Sequence, residues 1–97
     1  MKFKDLPQFS FYIGNTITDG EYDVVATNEG ISVDDELMAT YDEDAEIEDA
    51  SDLMGLIDSA ICSIESLSDE DIEELGVVLY NGADFEIKFW WNEKVSH

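Results

Sequence analysis

Asp84-Phe-Glu-Ile-Lys-Phe-Trp-Trp91 is the stretch on which the architecture turns. Phe85, Ile87, Phe89 and Trp91 share one parity and Glu86, Lys88 and Trp90 the other, the period of two expected of a half-buried strand. On this reading the preceding residues must supply a sheet for that strand to join. Trp91 then lies in the core with Phe85, Ile87 and Phe89. Trp90 points to the opposite face, where it is expected to cover the back of the sheet rather than serve as an interface anchor.

The sheet is found by working back toward the start. Gln8-Phe-Ser-Phe-Tyr-Ile-Gly14 sets Phe9, Phe11 and Ile13 against Ser10 and Tyr12, with Pro7 marking the start of a strand. Thr18-Asp-Gly20 reads as a tight turn into Glu21–Thr27, and Asn28-Glu-Gly30 as a second turn into Ile31-Ser-Val33. Alternation continues from Ile31 to Ile47 with an interruption near Asp34-Asp35, a bulge or a corner. The end of this run, Tyr41 to Ile47, is either a strand with one carboxylate face or a solvated loop leading to a helix.

Two helices lie between. Asp49 or Ser51 can cap a helix over Asp52–Leu67, with Leu53, Ile57, Ala60, Ile61, Ile64 and Leu67 on one stripe and Cys62 on the other side with Asp58, Glu65 and Ser66. Ser68-Asp-Glu-Asp71 is a capping box with a shorter acid, opening a helix that carries Ile72, Leu75 and Leu79. Gly76–Gly82 either continues that helix to Gly82 or turns to strand in a hairpin around Asn81-Gly82. The expected class is α+β: an antiparallel sheet of about four strands in the order βββ(β)ααβ, two helices on one face, and a single domain over residues 1–97.

Charge is the other strong signal. The net charge is -21, there is no arginine, and Lys2, Lys4, Lys88 and Lys94 are the only lysines. All 25 acids except Asp5, Glu86 and Glu93 fall between Asp19 and Asp84, most densely in Thr40–Asp52. An apolar content of 44% is too high for a disordered acidic tail, so the sequence implies a folded domain that carries charge. Self-repulsion on this scale lowers stability, so the charge serves a partner or solubility. No charged-then-apolar leader and no membrane span is expected. An anionic membrane surface would repel the chain, and a single cysteine, Cys62, suits a reducing compartment; the expected setting is the cytoplasm.

Several chemistries find little support. The one histidine, His97, is terminal, so no serine or cysteine dyad forms around a fixed imidazole. Acidic neighbours raise the Cys62 thiol rather than activate it. Carboxylate pairs without a sugar platform do not make a glycosidase, and there is no glycine-rich phosphate loop. An EF-hand begun at Asp42 would need glycine at Ile47 and glutamate at Leu53, so that register fails. The reading is of a chain that is not an enzyme, with no cofactor and no metal site. Direct nucleic-acid binding is disfavoured for want of Lys and Arg.

The reversed arrangement is favoured. Duplex DNA carries one charge per ~1.7 Å of axis, so over a domain width of roughly 35 Å it presents on the order of 20 charges, comparable to this chain's formal charge. Carboxylates can satisfy the Lys and Arg donors of a phosphate-binding groove. In size, charge and scarcity of basic residues the whole chain resembles the small acidic inhibitor proteins of phages, the anti-CRISPR and anti-restriction nucleic-acid mimics, and also acidic immunity proteins that neutralise nuclease toxins. No motif of those families is matched, so no functional residue is carried over. The resemblance implies an inhibitor acting in the host cytoplasm on a CRISPR effector, restriction enzyme or nuclease toxin, as a monomer or homodimer. The residues expected to meet the partner are Asp42, Asp44, Glu46, Glu48, Asp49 and Asp52, with Asp34, Asp35 and Glu36, and then Asp69, Glu70, Asp71, Glu73 and Glu74, as further patches.

Overall fold

Phe11 and Ile13 face one way along β1 (Ser10–Ile17) and are buried, while Tyr12 between them is exposed, as a two-residue period requires. β1 pairs antiparallel with β2 (Gly20–Thr27), β2 with β3 (Gly30–Val33) and β3 with β4 (Glu36–Ala39), giving a four-stranded meander in that order. Val24, Ala26, Ile31 and Val33 continue the buried face. The computed structural model describes residues 1–17 and 20–95, and of 15–17 and 20–22 the backbone alone. Thr18 and Asp19 of the first expected turn, and His97, lie outside the described residues.

The two later turns show why these strands stop where they do. At Asn28-Glu29 the chain reverses into Gly30, whose φ of +148° suits glycine, and an ideal Cβ there would lie 1.9 Å from the Ala39 carbonyl oxygen of β4. The Asn28 side chain ties this turn to the approach to β1: its amide donates to the Pro7 carbonyl (3.0 Å) and its oxygen accepts from the Phe9 amide (2.7 Å). Asp34 and Asp35 form a two-residue hairpin loop with φ of +52° and +67°, the left-handed region that Asp tolerates better than most residues. The interruption expected there is thus a complete reversal. The optional fourth strand is Glu36–Ala39, ahead of the acidic stretch rather than within it.

The helices cover the buried face. Asp49 caps α1 (Ala50–Cys62), accepting from the Asp52 amide, and Leu53, Ile57, Ala60 and Ile61 are buried. This helix ends earlier than its apolar stripe suggests. The Ser63 hydroxyl takes the Ala60 carbonyl (2.7 Å), and the chain leaves the helix while Ile64 still reaches the core. Ser68 caps α2 (Asp69–Val78) as its sequence implies. α1 lies against β3, and α2 lies against β1.

The strand expected over Asp84–Trp91 is instead α3 (Asp84–Lys94). It continues from α2 through a π-helical segment at Leu79–Ala83, so the chain is helical from Asp69 to Lys94 and the hairpin alternative at Asn81-Gly82 is excluded. Leu75, Leu79, Ala83, Ile87 and Trp91 are the residues buried along this run, one every four positions. In an α-helix each four-residue step overshoots a full turn by about 40°, so such a stripe would wind away from the sheet. The wider π turn takes up part of that overshoot. Ile87 and Trp91 share the core face, whereas Phe85 and Phe89, of the same parity, are 77% and 58% exposed. Trp90 packs edge-on over Phe9 and Phe11, with ring centroids at 5.3 and 5.5 Å, so it covers the sheet from the helical side and not from the back.

The α+β class and the four-stranded antiparallel sheet therefore stand, with a helix in place of the last strand. Among the described residues no helix is long and apolar enough to cross a membrane. Two sets of substitutions test this packing. Ile87→Ala is expected to cost about 2–5 kcal/mol in denaturant unfolding, while Phe89→Ala stays within about 0.5 kcal/mol; a strand would make both costly. Gly30→Ala should lose about 2–3 kcal/mol from φ strain and the clash with Ala39, and an unchanged midpoint would show that the β2–β3 turn does not need glycine.

Candidate partner-binding surface

Thr40–Asp49 is an irregular segment laid against the chain's first residues. The Phe3 amide donates to the Ala45 carbonyl (2.9 Å), the Lys4 amide to Glu43 (3.1 Å) and the Ile47 amide to Met1 (2.7 Å); Lys2 and Glu46 make the one bridge of strand type. It is a loop rather than a carboxylate-faced strand, because its partner is only the 3-10 turn at Phe3–Asp5 and its flanks. Alternation of burial survives nonetheless. Ile47 is buried and Tyr41 and Ala45 half-buried, while Asp42, Asp44, Glu46 and Glu48 are exposed. Glu43, the residue of the wrong parity, is exposed because a turn closes there, with the Ala45 amide on the Asp42 carbonyl (3.1 Å).

These carboxylates are not equivalent. Asp42 accepts from the Asp44 amide (3.0 Å), Asp49 from the Asp52 amide (3.0 Å) and Asp52 from the Glu48 amide (2.9 Å), so three of them hold the backbone that presents the rest. Lys4 and Lys2 approach Asp44 at 3.3 and 3.8 Å, and the Met1 amino group approaches Glu46 at 3.6 Å. Exposed pairs of this kind contribute at most about 1 kcal/mol and weaken with salt. They lower the local charge without removing it.

The other two patches stand apart from this one. Asp34, Asp35 and Glu36 occupy the β3–β4 turn, at the opposite end of β4 from Thr40. Asp23, which the sequence did not single out, joins them: its amide donates to the Asp34 carboxylate and its carbonyl accepts from the Asp34 amide, each at 3.0 Å. Asp69, Glu70, Asp71, Glu73 and Glu74 open α2 beyond the far end of α1, whose 13 residues span about 20 Å. The three acids of the first turn, Asp69, Glu70 and Asp71, complement the helix N-terminus. The fourteen expected contact residues thus do not form one patch: those of the β3–β4 turn and those of α2 both lie away from the acidic loop. Among the described residues no group of three or more His, Cys, Asp or Glu is placed to hold a metal ion. Cys62 is exposed.

Beside the acidic loop lies a hollow of about 470 Å³ lined by Phe3, Lys4, Asn28, Glu29, Thr40, Tyr41 and Glu43. Tyr41 stacks at a tilt on Phe3 (4.7 Å), and its hydroxyl is buried without a hydrogen-bond partner. Burial pushes the Tyr41 phenol well above its usual range. Burial also raises Tyr80, helped by the Asp58 charge and by Cys62. A phenol whose proton is held more tightly in the folded state contributes stability that is intact below the unfolded pKa of about 10 and is lost as pH climbs through the raised value. Tyr41→Phe is therefore expected to raise stability at pH 7 by about 1 kcal/mol and to shrink the alkaline loss, leaving the part due to Tyr80. Unchanged unfolding curves at both pH 7 and pH 11 would contradict this assignment.

No family model matches the chain, and neither the curated proteins nor the solved structures compared with it include a match.

Proposed function

We propose that this chain is a non-enzymatic acidic inhibitor that occupies the basic groove of a nucleic-acid-binding protein or nuclease, of the anti-CRISPR or anti-restriction type. The observation that carries the reading is the acidic loop from Asp42 to Asp49 together with Asp52 in the first turn of α1. Backbone bonds to Asp42, Asp49 and Asp52 hold the chain that presents the loop's exposed carboxylates, and among the described residues their ion pairs are with Lys2, Lys4 and the Met1 amino group. Separation of the patches fits the same reading, since a groove built for a duplex contacts phosphates at intervals along its length. The molecule measures 41 Å along its longest axis, a distance over which duplex DNA presents about 24 charges, against the chain's net -21. Long-range attraction would speed encounter with a cationic groove, and Arg or Lys there would meet carboxylates in place of phosphates. The setting implied is the cytoplasm of a host cell, with a CRISPR effector, restriction enzyme or nuclease toxin as the target.

The test uses purified basic nucleases of these three classes, with labelled DNA as competitor. At least one should bind the chain and lose its DNA, and affinity should fall steeply with salt. Changing Asp42, Asp44, Glu46 and Glu48 together to Asn or Gln should weaken that binding by about 30-fold and flatten its salt dependence. Binding that survives the fourfold change untouched, or that leaves DNA in place, would rule out the mimicry reading.

A further inference from the structure

The outward side of α3 carries the two most exposed large apolar side chains among the described residues. Phe85 and Phe89, four residues apart on one helical face, are 77% and 58% exposed, an arrangement that neither core packing nor solubility requires. Lys88 and Asn92 flank this pair and line a hollow of about 420 Å³ together with Glu48, Asp49, Ala50 and Ser51. The aromatic stripe is therefore bordered on that side by the end of the acidic loop. Lys88 does little to neutralise it, since its ammonium lies 3.6 Å from Asp84 of its own helix.

We infer that α3 is a docking face, on which Phe85 and Phe89 enter an apolar cleft of a cationic protein partner while that partner's Lys or Arg side chains meet Glu48 and Asp49. This rests on the inhibitor reading above and adds an apolar anchor to a contact otherwise made of charge. Charge complementarity selects the occupant. A second copy would bring another -21 against the same acidic border, whereas a cationic segment is attracted to it. Exposed aromatics beside desolvated ion pairs are the residues that dominate protein interfaces, so the stripe supplies affinity that charge alone does not.

Two synthetic peptides of equal positive charge serve as probes: one amphipathic, with Lys and Arg on one helical face and Leu and Phe on the other, and one with the apolar face replaced by Ser and Gln. Binding is measured by fluorescence anisotropy from 50 to 500 mM NaCl. The amphipathic probe is expected to bind the chain more tightly than the polar one. In Phe85→Ser/Phe89→Ser the amphipathic probe should lose about 30-fold in affinity with an unchanged salt slope. Glu48→Gln/Asp49→Asn, which keeps a helix-capping side chain, should weaken both probes and flatten the slope. Circular dichroism checks that each variant folds. If the serine variant binds the amphipathic probe as tightly as the parent, the α3 face is not a docking surface, while a persistent salt slope leaves the acidic reading intact. If neither probe binds at 50 mM NaCl, the acidic reading fails and this inference with it. Sedimentation showing a dimer that the serine variant abolishes would assign the face to a second copy and overturn the proposal.

Discussion

Mutual repulsion among 25 carboxylates sets the terms of this fold. Burying even one without a partner would cost several kcal/mol, and the chain has only four lysines with which to compensate. The architecture meets that limit by making its buried set entirely apolar: strand residues from Phe11 to Val33, helix residues from Leu53 to Trp91, and no buried polar or charged side chain among the described residues. The described acids sit on loops and turns, at exposed strand positions such as Asp23 and Glu36, at helix starts and on outer helix faces, where water screens them. Stability then comes mainly from the sheet and the helices packed on it, and the excess of negative charge subtracts from it.

The long helical run is what closes this core. A four-residue apolar repeat over Leu75, Leu79, Ala83, Ile87 and Trp91 is an awkward fit to an α-helix lying along a sheet, and the π segment in its middle is where the mismatch is absorbed. Trp90 and Trp91 then share the work at the end of the run. One seals Phe9 and Phe11 and the other joins the core, both from adjacent positions, which only a helical backbone permits.

Much of this was legible in the residues, and the failures have physical causes. The first three strands, the turn at Asn28, the Asp49 and Ser68 caps and the stripe of α1 follow from local rules that tertiary packing did not override, whereas Asp34-Asp35 read as a bulge or corner and is a full reversal. Asp84–Trp91 misled because Phe85, Ile87, Phe89 and Trp91 satisfy a period of two, while only Ile87 and Trp91 satisfy burial; exposed phenylalanines are rare enough that parity read as a face. What could separate the two was the spacing of Leu75, Leu79 and Ala83 upstream. In the acidic stretch the parity of Tyr41, Ala45 and Ile47 held although no strand formed, because the first residues of the chain, and not a sheet edge, supply the pairing. Separation of the other carboxylates from the acidic loop depends on the length of α1 and the direction of β4, which spacing along the chain does not reveal.

The backbone amide bonds accepted by Asp42, Asp49 and Asp52 carry a thermodynamic consequence. Most acidic loops must lose side-chain and backbone freedom when they meet a cationic surface, and that ordering offsets part of what the ion pairs contribute. Here three of the carboxylates are anchored to amides two to four residues away before any encounter. The loop is preorganised: its entropy was surrendered on folding, within the cooperative unit that also holds Met1, Phe3 and Ile47. A surface of this kind discriminates by the spacing of its charges as well as by their sign, since it does not readily rearrange to suit a cationic partner whose donors are set at other intervals.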